Sequence, residues 1–459
     1  MKNKKLKVLL VRPSRVKQAV TLGEFMFAEP IGLEIVYAVL KDRHEVRILD
    51  LMVSSESFEG TCEEFKPDVV GITSLCIDVI KVKDIAERAK KISSRIITVV
   101  GGTQAYLNPG AYFDENIDHV FKYTSRRNLT ELFDCISQKG AIPLIDGVLS
   151  KVNGYKGTSV AGRNEYIIPD RSSTESYRSH YSYLGFKPCA IMQTSQGCSK
   201  HCEFCLRWRL EGEKEQDIDL ECIVKQIQDI PEPSIMIYDN DFLNNRERLE
   251  KLCDLLEAAE IKKNFICYAS VKSILSHPDT VKRMARNGLK AVLVGYETFN
   301  EKEMQEYRKK SSNEDNIKAS WMLRDIGVDC WASFILHPDW NKQDFKTFRK
   351  YIRQLKPEIS TFSPLTPFPN LPLYEKYKDR LLFDVTEYES WSFGKVSIMP
   401  SSMSLRSYYY EVLKVILYIN LRMNSAPYMI RRFGISTLFR IGAGSLKVLP
   451  TYIKLMIKG

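Results

Sequence analysis

The chain has 459 residues, of which 44% are hydrophobic and 27% are charged. This composition excludes fibrous and disordered classes, and the length predicts two or three domains. The net charge of +10 is concentrated in residues 401–459, which hold nine basic residues and one acid, Glu411. Because the rest of the chain is nearly neutral, a nucleic-acid channel through the body of the protein is not expected.

The cysteine content favours metal or redox chemistry over disulfides. The chain has eleven cysteines, an odd number that does not suit a disulfide framework. After the basic start Met1–Lys7, the apolar run Val8–Val11 is too short for the core of a signal peptide. We therefore expect a cytoplasmic protein whose clustered cysteines bind metal.

Residues 1–140 alternate between strand patterns and helix patterns. Short apolar runs predict buried parallel strands, and segments with helical spacing lie between them. The strands are expected at Lys7–Val11, Glu45–Leu49, Asp68–Thr73 and Ile96–Val100, and helices at Ile31–Leu40 and Val79–Ile92. This order predicts a doubly wound, Rossmann-like α/β domain over residues 1–140.

A second alternation follows a polar, glycine-containing connector at 141–185. Its strands are expected at Ala190–Thr194, Ser234–Tyr238, Phe265–Ala269, Ala291–Val294, Cys330–Leu336 and Ile359–Pro364. Six βα units predict a partial (β/α)6 barrel over residues 186–400. Helical patterns then continue through 401–459, which forms a basic helical tail.

Cys198, Cys202 and Cys205 lie in one short segment just after the first barrel strand. Three thiols cannot all pair as disulfides. Zinc is an alternative, but it normally takes four thiolate or imidazole ligands, and only His201 is near. Three cysteines on a four-iron cubane leave one iron open to another ligand. The segment therefore predicts a [4Fe–4S] cluster.

The CxxxCxxC spacing, with Phe204 before the last cysteine, strongly resembles the radical S-adenosylmethionine (SAM) superfamily. The resemblance implies that SAM chelates the open iron and is cleaved to methionine and a 5′-deoxyadenosyl radical. Gly295-Tyr296-Glu297 resembles the Gly-x-Glu signature whose glutamate contacts SAM, with a solvated loop carboxylate as the alternative.

A second motif, Asp239-Asn240-Asp241-Phe242, resembles the Asp-Asp-Asn-Phe pattern of the same branch. It ends the second barrel strand, at the edge where barrel sites form. The resemblance implies a cofactor contact at Asp239, while a helix cap is an alternative for Asp241.

The N-terminal domain resembles the cobalamin-binding domain that is often fused ahead of a radical SAM barrel. The likeness runs from Lys7 to about Asp134 and includes Glu29–Leu33, Pro67–Thr73 and Val99–Gly102. It implies cobalamin contacts from the strand-end loops, where glycines permit close backbone approach. The candidate contacts are Ser74, Leu75, Gly101, Gly102 and Thr103.

Two features depart from this family. There is no Asp-x-His-x-x-Gly motif, so no histidine is positioned to bind cobalt from below. Lys122–Arg127 stands where the family has a Gly-Glu-Gly-Glu turn, and Gln104 replaces a frequent histidine. The alternative is a relic domain that packs on the barrel without a cofactor.

Within this branch the chain is most similar to the methylases that act on ring A of bacterial hopanoids. The likeness is carried by Ile168–Arg171, Tyr177-Arg178, Tyr183–Gly185, Lys187-Pro188, Trp208 and Phe362–Tyr374. It implies methylation of an unactivated carbon of a lipid or other secondary metabolite, with an electron donor such as flavodoxin or ferredoxin. No general acid or base is evident, so catalytic residues stay unassigned.

Three alternatives remain open. The first is a radical SAM cyclase or carbon–carbon coupling enzyme that transfers no methyl group. The second is a tRNA methylthiotransferase, which would need a second cluster site and an RNA-binding barrel that are not visible. The third is a non-catalytic cobalamin-binding regulator, which the intact cysteine motif disfavours.

The tail segments Tyr408–Met423 and Tyr428–Ile457 combine large apolar side chains with regularly placed Arg and Lys. No stretch of membrane-spanning length is free of charge, so a transmembrane helix is not expected. A basic amphipathic helix on the inner face of an anionic membrane fits this composition, and a helical cap on the barrel is the alternative. Peripheral membrane association would suit a lipid substrate.

Overall fold

The computed structural model describes residues 4–14, 26–158, 163–424, 426–435, 450, 452–454 and 456–457. They divide between two compact units. The described residues of the first unit fall within Met1–Ala19, Glu29–His180 and Val385–Ser392. Those of the second fall within Val20–Ala28, Tyr181–Asp384 and Phe393–Gly459.

The first half of the chain alternates strands and helices, as its apolar patterns predict. The strands are β1 (Lys7–Arg12), β2 (Met26–Phe27), β3 (Glu45–Asp50), β4 (Val69–Thr73), β5 (Ile97–Gly101), β6 (His119–Phe121) and β7 (Val148–Ser150). The helices are α1 (Ile31–Leu40), α2 (Phe58–Phe65), α3 (Val79–Ile92), α4 (Thr103–Leu107) and α5 (Arg126–Gln138).

The sheet of the first unit has the order β3-β1-β4-β5-β6-β7, and only β7 is antiparallel to its neighbour. Leu9 and Val11 of β1 pack on one face with α2 and α3. Val8 and Leu10 pack on the other face with α1 and α5. A strand that is buried on both faces needs the continuous apolar run seen here. The predicted doubly wound α/β fold is confirmed.

The second unit contains the remaining strands: β8 (Ser182–Tyr183), β9 (Cys189–Met192), β10 (Ser195–Gln196), β11 (Gln216–Asp217), β12 (Ser234–Ile237), β13 (Asn264–Ala269), β14 (Leu289–Glu297), β15 (Asp329–Leu336) and β16 (Ile359–Pro364). Its helices up to the tail are α6 (Arg207–Glu211), α7 (Leu220–Asp229), α8 (Arg246–Ala258), α9 (Val271–Ser276), α10 (Pro278–Arg286), α11 (Glu301–Glu306), α12 (Asn313–Asp325), α13 (Lys342–Leu355) and α14 (Pro372–Tyr377).

Six of these strands form a fully parallel sheet in the order β9-β12-β13-β14-β15-β16. Outward side chains such as Cys267 and Val292 pack under the surrounding helices. Inward side chains such as Ile266 and Trp331 form a separate interior cluster. The predicted six-unit partial barrel is confirmed, and its strand ends meet at one edge where a site can form.

One segment that follows the barrel belongs to the first unit. Val385–Ser392 contains a short 3-10 turn, Tyr388–Ser390, that packs on the turn Cys76–Asp78 and on α3. The side chain of Tyr388 packs against the apolar core that includes Tyr112. This segment therefore lies beside the residues that follow β4.

The tail begins with α15 (Leu405–Tyr418), continues as a π-helical turn at Ile419–Met423 and reaches α16 (Ala426–Phe433). Tyr408 of α15 is buried, and its hydroxyl donates to the carbonyl oxygen of His337 at 3.1 Å. At α16, the hydroxyl of Tyr428 donates to Asp329 at 2.7 Å. Both helices therefore pack on the barrel.

Part of the predicted tail helix, at 436–449, 451 and 455, lies outside the described residues. None of the helices in the described ranges is long and apolar enough to cross a bilayer.

Candidate functional site

The cysteine loop, residues 197–206, begins directly after the short strand β10. Gly197 adopts a φ of +88°, and a Cβ at this position would lie 2.0 Å from the carbonyl oxygen of Lys214. The backbone N–H of Cys198 donates to the carbonyl oxygen of Gly212 at 2.9 Å. Glycine is required at this crossing, which sets the position of the first cysteine.

Cys198, Cys202 and Cys205 bring their free thiols into one partly buried site. Burial is the main cause that raises the pKa of each thiol, that of Cys205 to about 11. Cys202 lies close enough to the other two to raise their pKa further. Metal binding must displace protons from these thiols, so affinity for iron is expected to fall as the pH is lowered.

This donor set fits a multi-iron cluster better than a single ion. In the described part of the chain, no three His, Cys, Asp or Glu side chains are arranged to hold one metal ion. His201, the fourth ligand that zinc would need, packs its ring against Trp208 with 5.1 Å between ring centres. In a four-iron cluster each thiolate binds a different iron, so the sulfur atoms need not converge on one point.

Asp239, a predicted cofactor contact, is buried behind the cysteine loop. Its carboxylate accepts the backbone N–H of Thr194 at 2.7 Å, the hydroxyl of Thr194 and the hydroxyl of Ser195 at 3.0 Å. Both oxygens are therefore engaged by the chain that leads into the cysteine loop. The geometry supports a positioning role, and direct contact with a cofactor stays a prediction.

The two residues after Asp239 hold the loop itself. The amide of Asn240 donates to the carbonyl oxygen of Gly197 at 2.7 Å. The carboxylate of Asp241 pairs with Lys200 of the loop and accepts the backbone N–H of Ser270 at 2.8 Å. Asp241 thus ties the loop to the start of α9. The sequence motif predicts a site at this strand end, but it does not predict that these side chains hold the cysteine loop in position.

Arg207 and Trp208 close the loop from its other end. Arg207 donates to the carbonyl oxygen of Tyr238 at 2.8 Å and to the side-chain oxygen of Asn240 at 2.7 Å. The indole N–H of Trp208 donates to the carbonyl oxygen of Cys202 at 3.1 Å. Residues that follow the last cysteine therefore fix the backbone between the cysteines. Sequence analysis did not assign this role to Arg207.

Glu297 stands at the end of β14 with a φ of +61°. Its carboxylate turns back over Gly295, where an added Cβ would lie 2.3 Å from Oε1 of Glu297. The same oxygen is 2.9 Å from the ammonium of Lys309. The glycine of the Gly-x-Glu signature thus leaves the space that this carboxylate fills, and the side chain is buried rather than solvated.

Lys309 places a positive charge beside the cysteine loop. Its ammonium lies 5.8 Å from the ring centre of Phe204 and donates to the carbonyl oxygen of Gly295 at 3.3 Å. Burial would lower the pKa of Lys309, but the charges of Glu297 and Cys202 outweigh it and hold that pKa above its ordinary value. Lys309 therefore stays a cation.

Lys309 is not distinguished by the sequence, because it lies in a run of three cations, Arg308-Lys309-Lys310. Nothing in the local pattern separates the middle one from its neighbours. The structure does, because Arg308 is exposed and pairs with Glu203 at 2.6 Å, whereas the side chain of Lys309 is only 18% exposed and pairs with Glu297.

The barrel interior next to the loop carries polar but uncharged side chains. Met236, Ile266 and Trp331 pack together inside the barrel. Because side chains alternate along strands, residues two positions further along face the same interior. These are Tyr238, Tyr268 and Ser333, with Gln193 beside Tyr238, Thr361 beside Ser333 and the apolar Leu293 beside Tyr268.

Hydrogen bonds order part of this ring. The hydroxyl of Tyr238 donates to Gln193 at 3.2 Å, and the hydroxyls of Tyr183 and Tyr268 bond to each other. The guanidinium of Arg207 lies over the ring of Tyr238, with 5.3 Å to its centre. The uncharged ring therefore adjoins the cysteine loop directly.

In the first unit, the predicted cobalamin contacts lie at the carboxyl ends of β4 and β5. Gly102 has a φ of +101°, and a Cβ there would lie 2.7 Å from the carbonyl oxygen of Ser74. Ser74 itself is buried, and its hydroxyl bonds to Tyr112. Leu75, in contrast, is 54% exposed.

The edge formed by these residues is suited to a large flat ligand. Gly101 ends β5 and Thr103 begins α4, so the backbone between them approaches β4 without side chains in the way. Exposed apolar Leu75 offers contact surface beside this bare backbone. The geometry brings the five predicted contacts to one edge, and it directs the Ser74 side chain inward.

Two histidines of this unit, His44 and His119, lie away from that edge. His44 directly precedes β3, and His119 is the first residue of β6, so both stand at amino ends of strands. His119 bonds to the hydroxyl of Ser150 at 2.9 Å, and burial lowers its pKa to about 4. The residues present therefore agree with a cobalamin that receives no histidine ligand from this sheet.

Two protein families match the chain. Residues 26–132 match the B12 binding domain, and residues 192–352 match the radical SAM superfamily. Each match falls on one of the two sheets described above.

Two relatives and one solved structure extend these matches. The hopanoid C-3 methylase of Methylococcus capsulatus is 25% identical over 421 residues, which cover 89% of this chain and 79% of the relative. The anaerobic magnesium-protoporphyrin IX monomethyl ester cyclase of Rubrivivax gelatinosus is 22% identical, covering 78% and 67% of the two chains. The cobalamin-dependent radical enzyme OxsB, solved with aqua-cobalamin and SAM, has a TM-score of 0.71 at 13% identity and covers 96% and 72%.

Proposed function

Because the chain belongs to the cobalamin-dependent radical SAM enzymes, we propose that it is a C-methyltransferase. Its substrate would be a lipid or other secondary metabolite with an unactivated carbon as methyl acceptor. The observation that carries this proposal is the ring of Tyr238, Tyr268, Gln193 and Ser333 beside the cysteine loop, whose charged neighbours Arg207 and Glu211 pair with each other at 2.9 Å. Such a surface favours a neutral small molecule, because its own charges are already paired and leave few partners for another buried charge.

The cofactors of the family are a [4Fe–4S] cluster, SAM and cobalamin. When bound, they supply a carbon-centred radical that removes a substrate hydrogen and a methyl group that replaces it. Cys198, Cys202 and Cys205 would hold the cluster. The loops that end β4 and β5 would hold the corrin ring.

The Glu297–Lys309 pair would bind the amino-acid part of SAM. The Glu297 carboxylate is complementary to its ammonium group, and the Lys309 ammonium to its carboxylate. Because Glu297 is buried and Lys309 is mostly covered, these charges are screened less than they would be at the protein surface. A reduced flavodoxin or ferredoxin would deliver the electron.

Deuterium-labelled SAM tests methyl transfer. The protein, reconstituted without oxygen with iron, sulfide and hydroxocobalamin, is incubated with SAM that carries a trideuterated methyl group and with bacterial polyprenoid extracts. A product that gains the labelled methyl group, together with 5′-deoxyadenosine, is expected. Formation of 5′-deoxyadenosine without any labelled product across neutral extracts would contradict the proposal.

Cyclisation or carbon–carbon coupling without methyl transfer is the second candidate, since the Rubrivivax relative is a cyclase. The same experiment separates the two. A cyclised or coupled product gains no label, whereas a methylated product is heavier than the substrate by the labelled methyl group that replaces a hydrogen.

A further inference from the structure

The outward face of the tail exposes large apolar side chains although the same helices are packed on the barrel. Tyr410 and Leu417 of α15 and Leu421 of the turn that follows are between 44% and 76% exposed. On the opposite side, Tyr408 and other residues of α15 are buried. Exposed apolar side chains that share one helix face indicate a contact surface.

These side chains form a stripe along α15 and the turn that follows it. Arg406, Tyr410, Leu417 and Leu421 lie at spacings that return to the same side of a helix. The stripe thus begins with a cation at the start of α15 and ends with apolar residues.

The charges on this face have one sign. Arg406 and Arg422 are exposed and form no ion pair within the described residues. The acid of the tail, Glu411, is buried and bound between Arg349 at 3.3 Å and Lys414 at 2.8 Å. Its negative charge is therefore neutralised inside, and the outward face presents cations only.

We propose that this face, called the tail face and made of Arg406, Tyr410, Leu417, Leu421 and Arg422, binds the surface of an anionic lipid bilayer. Cations and large apolar side chains on one helical face are the combination that holds a peripheral helix in the headgroup region. Each cation near an anionic surface adds to the binding, and the apolar side chains add burial that salt does not screen.

The next helix, α16, packs elsewhere on the barrel and leaves the stripe on α15 exposed. Tyr428 and Arg432 of α16 hold Asp329, the first residue of β15, while Phe433 packs against Gly185. α16 therefore covers the amino ends of the barrel strands. The cysteine loop follows the carboxyl end of β9, so the two lie at opposite ends of the barrel.

The inference deepens the proposed function, because it names the surface that would present a lipid substrate. Its test needs no turnover. Vesicles of phosphatidylcholine alone and of phosphatidylcholine with phosphatidylglycerol are sedimented with the full-length protein at low and high salt. We expect binding to the anionic vesicles that weakens with salt and does not vanish, and little binding to the neutral vesicles.

Two double variants separate the contribution of the cations to vesicle binding from that of the apolar side chains. Arg406→Gln with Arg422→Gln should weaken binding at low salt by about tenfold or more. Leu417→Ser with Leu421→Ser should abolish the binding that persists at high salt. The control for the arginine variant is Lys282→Gln with Lys290→Gln, which removes two exposed cations on the barrel. The control for the leucine variant is Val152→Ser, which removes an exposed apolar side chain in the first unit. Both controls should bind the vesicles as the parent protein does.

The proposal fails if the full-length protein ignores anionic vesicles at low salt, or if the arginine variant binds them as tightly as the parent. Circular dichroism melting must show that each variant folds. A protein that does not bind vesicles could still transfer the labelled methyl group in detergent solution. The two experiments therefore distinguish a failure of the membrane-binding proposal from a failure of the methyltransferase proposal.

Discussion

At the scale of single residues, three thiols lie beside an ion pair formed by the buried Glu297 and the partly buried Lys309. The loop that carries the cysteines is held at Gly197, Lys200 and Cys202 by Asn240 and Asp241, which follow β12, and by Trp208 of α6. Burial keeps the pKa of the thiols above its ordinary range, so iron has to compete with protons. The positive charge of Lys309 beside them favours the thiolate form.

Replacing Cys202 by Ala should abolish cluster assembly and SAM cleavage, because two thiolates would remain for a four-iron cluster. Iron and sulfide are counted after anaerobic reconstitution, and 5′-deoxyadenosine is measured by mass spectrometry. The parent protein should bind about four irons. Cys222→Ala removes a free thiol on α7 and is the control. Normal SAM cleavage by the Cys202 variant would contradict the cluster assignment.

Lys309→Met should weaken SAM binding by about tenfold or more, because it removes a charge-assisted partner and leaves Glu297 as an unpaired buried carboxylate. It should also make the cluster harder to reduce, since a nearby cation stabilises the added electron.

Equilibrium dialysis measures the SAM affinity, and an EPR-monitored redox titration measures the potential. Lys309→Arg should restore both in part. Arg308→Met, the exposed neighbour, should change neither. If Lys309→Met binds SAM like the parent and keeps its potential, the ion pair is only structural.

At the scale of elements, the ends of parallel strands provide the positions at which ligands bind. Gly102 follows β5 and lets its backbone pass within contact of Ser74 after β4. Asp239 follows β12 and fastens the chain that leads into the cysteine loop. In both units the carboxyl edge of the sheet carries the candidate residues, as expected for parallel α/β folds.

Gly102→Ala should destabilise the first unit by about 1–3 kcal/mol, because its φ is accessible mainly to glycine and the new Cβ meets Ser74. It should also reduce cobalamin uptake, read from the corrin absorbance after refolding with hydroxocobalamin.

Gly32→Ala in α1, where an added Cβ meets nothing, is the control and should gain about 0.5–1 kcal/mol. A parent protein that stays colourless would favour the relic-domain alternative. Equal uptake by Gly102→Ala and the parent would place the cofactor elsewhere.

At the scale of the whole molecule, segments distant in sequence complete each unit. Val385–Ser392 comes after the barrel yet packs beside the turn that follows β4 in the first unit. The tail returns to cover the barrel, with Tyr408 at one helix and Phe433 at the other. Neither unit is therefore a continuous stretch of chain.

Truncation after Pro400 should prevent the barrel from folding stably. Val412 and Val415 are fully buried, and each contributes roughly 1.5–3 kcal/mol, with more from Tyr408 and Tyr409. That total is comparable to the whole stability of a typical domain, about 5–15 kcal/mol. The truncated chain is compared with the Leu417→Ser/Leu421→Ser variant by thermal melting. Equal melting temperatures would show that the tail is not part of the barrel core.

The sequence alone determined the two α/β sheets and the cysteine loop. Apolar runs such as Lys7–Val11, and the spacing of Cys198, Cys202 and Cys205, are local patterns, and neighbours in the chain express them directly. The bounds of α3, predicted at Val79–Ile92, agree for the same reason.

Only the tertiary structure determined the roles of the polar residues at the site. It places Lys309, the middle one of three consecutive cations, beside Glu297. It also bonds both carboxylate oxygens of Asp239 to Thr194 and Ser195, and it packs Val385–Ser392 into the first unit. Each of these outcomes depends on contacts between segments far apart in the chain, and burial then determines whether a charge is solvated or paired. A local sequence pattern does not encode the contacts between distant segments or the burial of a charged side chain. Both arise only when the strands and helices pack together.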